Sequence, residues 1–237
     1  MVPSRIRARG ASEISWETYL KAVVLLSGGL DSTTVAYLAA RSGYDICALT
    51  VHYGQRHERE LEAAAAVCRE LAVADHRIVR LDFGAWGSAL TDADDIPTAG
   101  VGAGIPSTWV PMRNLIFLGL ASGYAEVVGA DVIYIGVGQV DYSGYPDCRL
   151  EFIDAYQRAA DLASKQFVEA GKSIPVLTPL MHLPKSGVIR LGLSLGVDYD
   201  LTWSCYAGGA QPCGVCDSCR LRAAAFAEVY AGSNNPR

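Results

Sequence analysis

Short apolar runs alternate along the chain with longer mixed segments, at the spacing of strand and helix in turn. Lys21 to Leu26 is almost wholly apolar and runs into Ser27-Gly28-Gly29. So short a run, with no polar residue in alternation, predicts a strand buried on both faces and ended by a tight loop. Leu30 to Ala40 is rich in alanine, leucine and valine and predicts a helix closed at Ser42-Gly43. Asp45 to His52 predicts a second strand, Arg56 to Leu71 a helix with an alanine run inside it, and His76 to Leu81 a third strand. This is the rhythm of βαβ units. It predicts an α/β fold, a Rossmann-like parallel sheet with helices on both faces.

Asp82 to Thr108 breaks the rhythm with Gly84, Gly87, Pro97, Gly100, Gly102, Gly104 and Pro106. So long a loop in a compact domain is usually functional. Beyond it, Pro111 to Val128 predicts a helix with proline in its first turn, and Asp131 to Val137 a fourth strand. A polar loop, Gly138 to Arg149, leads to one long amphipathic helix, Leu150 to Ala170. Val176 to Leu183 predicts a short strand, Lys185 to Leu195 a helix, and Cys219 to Tyr230 the last helix. The expected organisation is a flexible N-terminal extension over 1–20, an α/β domain over 21–183 and a small C-terminal helical segment over 184–237.

Composition narrows the function. Of 237 residues, 51% are hydrophobic and 19% charged, enough for one filled core and against wholesale disorder. The net charge of −5 argues against long nucleic acid, which is held through many phosphate contacts, and for a small-molecule substrate. No apolar run reaches the roughly 20 residues of a membrane span, and Arg5, Arg7 and Arg9 are followed by no apolar secretory core. A cytoplasmic protein with no membrane partner is expected. Seven cysteines are present, four of them within fifteen residues as Cys205-x7-Cys213-x2-Cys216-x2-Cys219. In a chain without an export signal that cluster points to metal rather than disulfides. Four thiolates complete a tetrahedral zinc site with no open position, so structural Zn²⁺ is expected, with an iron–sulfur cluster or a redox dithiol as alternatives.

Ser27-Gly28-Gly29-Leu30-Asp31-Ser32-Thr33-Thr34 stands where a strand ends and a helix begins. Glycines there leave backbone N–H groups free to face an anion, and the helix N-terminus adds partial positive charge. Asp31 is out of place in a bare anion cradle and fits if a divalent cation, Mg²⁺, accompanies the phosphates. The plain alternative is an ordinary turn with Asp31 or Ser32 capping the helix. The full string resembles the pyrophosphate loop of the N-type ATP pyrophosphatases, which cleave ATP between its α- and β-phosphates.

Further strings resemble one family, the 7-cyano-7-deazaguanine synthases of the queuosine and archaeosine pathways. They are Val51-His52-Tyr53-Gly54-Gln55-Arg56-His57, Arg113-Asn114-Leu115-Ile116-Phe117, Asp141-Tyr142-Ser143-Gly144-Tyr145-Pro146-Asp147-Cys148-Arg149, and Thr202-Trp203-Ser204-Cys205-Tyr206 with the remaining cysteines. The resemblance covers roughly residues 20 to 230. It implies ATP-dependent conversion of 7-carboxy-7-deazaguanine and free ammonia to the nitrile, through an adenylated carboxylate and an amide, in a homodimer. Arg113 and Lys185 are implied to neutralise the developing charge, and Asp31 to take part in catalysis through the cation it accompanies. ATP is implied to lie on Leu26, the loop from Ser27 to Thr34, His52 and Asn114. The base is implied to be read by Asp141, Tyr142, Tyr145 and Asp147, with Gln55, Arg56 and His57 nearby.

Two positions depart from the family pattern. Met112 stands where glycine is usual, and Gly187 where an acid follows the helix-opening lysine. A bulky Met112 is expected to narrow the surroundings of Arg113 and to slow the second activation, of amide to nitrile, with a 7-deazaguanine still the substrate. Other readings are a variant deazaguanine amide or nitrile synthetase and a tRNA-modifying adenylating enzyme on the same scaffold.

Overall fold

The computed structural model describes residues 20–84, 86–92, 96–98, 104–138 and 144–232. The expected extension, except Leu20, and the residues Asp141 and Tyr142 lie outside them. Five parallel strands form one sheet in the order β3-β2-β1-β4-β5: β1 Lys21–Leu25, β2 Asp45–His52, β3 Asp75–Arg80, β4 Val132–Tyr134 and β5 Val176–Leu177. The helices are α1 Leu30–Arg41, α2 Arg59–Glu70, α3 Arg113–Val128, α4 Leu150–Ala163, α5 Lys165–Ala170, α6 Lys185–Leu195 and α7 Asp217–Ala231.

Alternate side chains of the central strands enter two separate cores. Ala22, Val24 and Ala48 pack with α1, α2, α6 and α7 through Val35, Val67, Ile189 and Val229. Val23, Leu25 and Leu49 pack on the other face with Leu118 and Ala121 of α3 and Ile153 of α4. Burial on both faces is why these strands read as unbroken apolar runs. The C-terminal helices α6 and α7 are thus part of the first core. Tyr199, from a 3₁₀ turn after α6, ties this segment to α1 by a 2.8 Å hydrogen bond between its hydroxyl and that of Thr34. The chain reverses direction across the sheet between β1 and β4, and a crevice opens at the carboxyl ends of those strands, where open α/β sheets bind ligands.

Five elements differ from the sequence reading for an identifiable physical reason. The helix expected from Pro111 starts at Arg113, because Met112 takes a left-handed backbone that cannot continue a helix. The helix expected over Leu150 to Ala170 is two helices. Ser164 is extended, its hydroxyl accepts the Phe167 N–H at 3.3 Å, and Glu126 of α3 accepts both the Ser164 hydroxyl and the Gln166 N–H at 2.9 Å. A cap supplied from α3 therefore restarts the helix. β4 and β5 are shorter than expected, since only those residues pair. α2 begins at Arg59, after a turn in which the Gln55 side chain accepts the Tyr53 N–H at 2.8 Å.

Candidate active site

A cavity of about 280 Å³ occupies the crevice. One end is built by the β1–α1 loop: Leu26, Ser27, Gly29, Leu30, Asp31 and Ser32 line it. The Ser32 hydroxyl holds the loop shut, accepting the Ser27 N–H at 3.2 Å, meeting the Ser27 hydroxyl at 3.0 Å and donating to the Gly29 carbonyl at 3.2 Å. The first-turn N–H groups of α1 have no helical acceptor and carry the positive end of the helix dipole. Gly28, with φ +78°, serves a different purpose from Gly29. A Cβ there would lie 2.4 Å from the Ala64 nitrogen and 2.6 Å from the Glu60 carbonyl, so only glycine lets the loop tuck beneath α2. Gly136, after β4, makes a second close passage: a Cβ would lie 2.9 Å from the Ser32 nitrogen. Thr33 and Thr34 face away from the cavity into the core, and Thr34 spends its hydroxyl on Leu30 and Tyr199.

Lys185, the first residue of α6, is ion-paired with Asp31 across the loop. Arg222 of α7 lines the same end. Its guanidinium donates to the Thr202 hydroxyl and the Tyr199 carbonyl at 2.7 Å and to the Ser204 hydroxyl at 3.2 Å, which fixes its place. The loop is joined to this C-terminal wall by the Trp203 N–H, which donates to the Gly28 carbonyl at 3.0 Å.

The opposite end is polar and aromatic. Arg113 opens α3, with its guanidinium 5.4 Å from the Tyr53 ring and 3.4 Å from its hydroxyl. Burial works against its charge, and the polar groups of Tyr53, Tyr145, Cys148 and Asp147 more than offset it, so Arg113 stays cationic. Burial, with Glu60 nearby, pushes the Tyr53 hydroxyl up to about 12. Tyr145 stacks on Trp109 at 5.9 Å and bonds the Thr108 hydroxyl at 2.6 Å, presenting a flat aromatic wall. Glu60 of α2 also lines the cavity. Burial raises its carboxyl to about 6, with Arg113 and the Gln55 amide pulling the other way.

The expected site residues divide. Asp31, Arg113, Lys185, Asn114, Tyr145 and the loop from Leu26 to Ser32, save Gly28, meet at the cavity; Gln55, Arg56, His52 and His57 do not line it. Gln55 stands behind Glu60, donating to its carboxylate at 3.4 Å. Arg56 is exposed. His57 packs edge-on to Trp203 at 6.2 Å, and burial lowers its pKa. Asp147 is 5% exposed and turned toward α3, accepting the Asn114 N–H at 2.9 Å; it caps that helix rather than the one following it. Met112 is 58% exposed and lines no part of the cavity, so it does not narrow the surroundings of Arg113. Sequence reasoning missed Glu60, Tyr53, Trp203, Ser204 and Arg222. The signal for Tyr53, Trp203 and Ser204 was their place inside the quoted strings. Glu60 and Arg222 gave none, being ordinary charges on helices.

Cys205, Cys213, Cys216 and Cys219 bring their sulfurs within 4.8 Å of one another. Tetrahedral Zn–S bonds of about 2.3 Å put sulfurs about 3.8 Å apart, so the four fit a zinc ion. Backbone N–H groups already face the thiolates: Cys213 and Ala207 donate to Cys205 at 3.3 and 3.4 Å, and Cys216 to Cys213 at 3.4 Å. The N–H groups of Cys216 and Val215 pull the Cys213 thiol down to about 6. The cluster is next to the cavity, since Trp203, Ser204, Tyr206, Ser218 and Arg222 line the wall it braces.

Strand order 3-2-1-4-5 and a glycine loop feeding a helix at the reversal define a Rossmann-like α/β protein with an anion cradle at the switch point. The chain belongs to the family described as queuosine biosynthesis protein QueC, whose model matches residues 21–230. It is 54% identical over 216 residues to the 7-cyano-7-deazaguanine synthase of Solidesulfovibrio magneticus, spanning 88% of this chain and 92% of that protein. To the synthase of the same name from Nostoc punctiforme it is 51% identical over 216 residues, spanning 89% and 96%. Among solved structures, the NMN synthetase of Francisella tularensis shares the fold, with a TM-score of 0.50 at 18% identity, covering 83% of this chain and 71% of that one.

Proposed function

We propose that the chain makes 7-cyano-7-deazaguanine from 7-carboxy-7-deazaguanine, ammonia and ATP, as an ATP-dependent ligase. Nearly full-length identity above 50% to synthases of that name carries the reading. The cavity supports it, with an anion cradle at one end and an aromatic, cationic end at the other. A carboxylate is a poor electrophile; adenylation gives it a good leaving group, ammonia forms the amide, and a second adenylation lets the amide lose AMP as the nitrile. Catalysis of this kind is mostly positioning and charge stabilisation.

The roles proposed for the residues follow their places. The β1–α1 loop takes the ATP phosphates, with Lys185 compensating their charge and Asp31 as the carboxylate that would hold Mg²⁺. Arg113 faces the carboxylate to be activated, and Tyr145 lies against the base, read also by Asp141 and Tyr142. Zn²⁺, held by the four cysteines, would brace the wall without entering the chemistry. We also propose one α/β body with its C-terminal segment from residue 184 as a covering layer, and a cytoplasmic homodimer. Val127, Leu162 and Val168, exposed apolar side chains on α3, α4 and α5, support the dimer, which light scattering tests. The reaction is tested by mass spectrometry of products from the acid, ATP, Mg²⁺ and ammonium. Nitrile, AMP and pyrophosphate are expected; ADP, or an untouched acid, would refute the reading.

A further inference from the structure

Ammonium reaches the cavity carrying four protons, and the nitrile nitrogen keeps none. One proton leaves to give ammonia and one as the amide forms. Two more leave as the adenylated amide expels AMP and the C≡N bond closes. Something at the reacting carbon must accept them. Among the described residues the cavity is lined by two carboxylates, Asp31 and Glu60, and by no histidine. Asp31 sits in the phosphate loop and is ion-paired with Lys185. Glu60 stands apart from that pair, near Arg113 and Tyr53. Its position is fixed at both ends. The backbone at Glu60 lies against Gly28 of the loop, and the Gln55 amide, itself held by the Tyr53 N–H, reaches one carboxylate oxygen. Gln55 is the one hydrogen-bond donor to that carboxylate among the described residues.

We infer that the Glu60 carboxylate is the base that takes protons from the nitrogen: from ammonium before attack, and from the amide nitrogen as the nitrile forms. The inference rests on the proposed reaction. In the first step the Glu60 oxygen gains a proton, and the freed nitrogen lone pair attacks the acyl carbon. The C–O bond to AMP then breaks, with its electrons going to the phosphate oxygen, and that oxygen takes the further proton the nitrogen sheds as the neutral amide forms. In the second, Glu60 takes one N–H proton of the adenylated amide while the same kind of C–O bond breaks and AMP departs, and the remaining N–H proton passes to the departing phosphate oxygen, leaving the neutral nitrile. Between steps the proton leaves through the cavity mouth to solvent. Facing groups set the working range: Arg113 of α3 favours the ionised form, as Gln55 does, while burial opposes it. A base with a pKa of about 6 is ionised at pH 7 to 8 yet still basic enough to accept a proton.

Glu60→Gln and Glu60→Asp, run beside the native chain, test this. In Glu60→Gln, pyrophosphate exchange into ATP, driven by the acid substrate, should stay within about threefold of native. Amide and nitrile formation should fall by about a hundredfold or more. The acidic limb of kcat/KM near pH 6 should vanish in Glu60→Gln and persist in Glu60→Asp. Amide formation by Glu60→Gln should recover as pH rises and free ammonia increases, whereas dehydration to nitrile should not. Exchange lost in step with product formation would make Glu60 a positioning residue for Arg113 and overturn the inference, as would nitrile formed at a near-native rate. If the native chain forms no nitrile, the proposed reaction falls and this inference with it. Native activity with an unaffected variant removes Glu60 alone.

Discussion

Met112 holds a left-handed backbone, φ 59° and ψ 15°, immediately before α3. For a side chain with a Cβ that region costs about 1–2 kcal/mol, and glycine reaches it freely. Because the side chain points to solvent, Met112→Gly should raise stability by about 0.5–1 kcal/mol, seen in the thermal midpoint. The ratio of amide to nitrile should not change. Lys185 is a different case, a cation paired with Asp31 and proposed to compensate the ATP phosphates. Lys185→Met should lower kcat/KM by about 10²–10³, read by product chromatography, while the melting curve moves little. Glu60 adds a pH signature of its own. Its folded pKa, about 6, lies above the ordinary 4.5, so the folded state favours the protonated acid. The stability from that preference is full below about 4.5 and is lost as pH rises through about 6. Glu60→Gln, neutral throughout, should therefore be more stable than native at pH 8 by up to about 2 kcal/mol, the difference shrinking toward pH 5. Denaturant midpoints at the two pH values measure it.

At the scale of elements, α3 matters most, because its first residue is Arg113. No residue in the helix itself caps that end; the cap is Asp147, 33 positions away, which accepts the Asn114 N–H. Asp147→Ala should cost about 1–2 kcal/mol of stability and raise the KM for the acid substrate by letting Arg113 drift. An unchanged KM would separate the cap from the site. The split between α4 and α5 obeys the same logic. Apolar periodicity runs through Ser164 without a break; the Ser164 hydroxyl accepts the Phe167 N–H, and Glu126 of α3 holds that hydroxyl and accepts the Gln166 N–H, which together restart the helix.

Across the whole molecule, the cysteine cluster and the cavity are one structure. The long loop is docked on it: Ile96 packs against the cysteines, and the Pro97 and Thr98 carbonyls accept from Asp217 and Arg220 of α7. Cys216→Ser, or prolonged chelation, should strip one zinc per chain, lower the thermal midpoint and weaken ATP binding, since Arg222 and Trp203 hang from the same segment. Zinc content by emission spectroscopy and nucleotide titration check it. Full ATP affinity in the metal-free chain would divorce the two.

The alternation of strand and helix, the phosphate loop and the four-cysteine cluster are set by residues close together in the chain. Apolar runs, glycine freedom and thiol spacing act within a few residues, so these features are legible in the sequence itself. Tertiary structure alone decided which of those residues face the cavity. It turned Asp147 into a helix cap and Thr34 into a core tie. It sent Met112 to solvent and brought Glu60 and Arg222, unremarkable charges on their helices, to the walls of one cavity. The reason is physical: a carboxylate becomes a base, a cap or a solvated charge according to the groups packed around it. Those groups come from strands and helices far apart in the chain, where spacing carries no information.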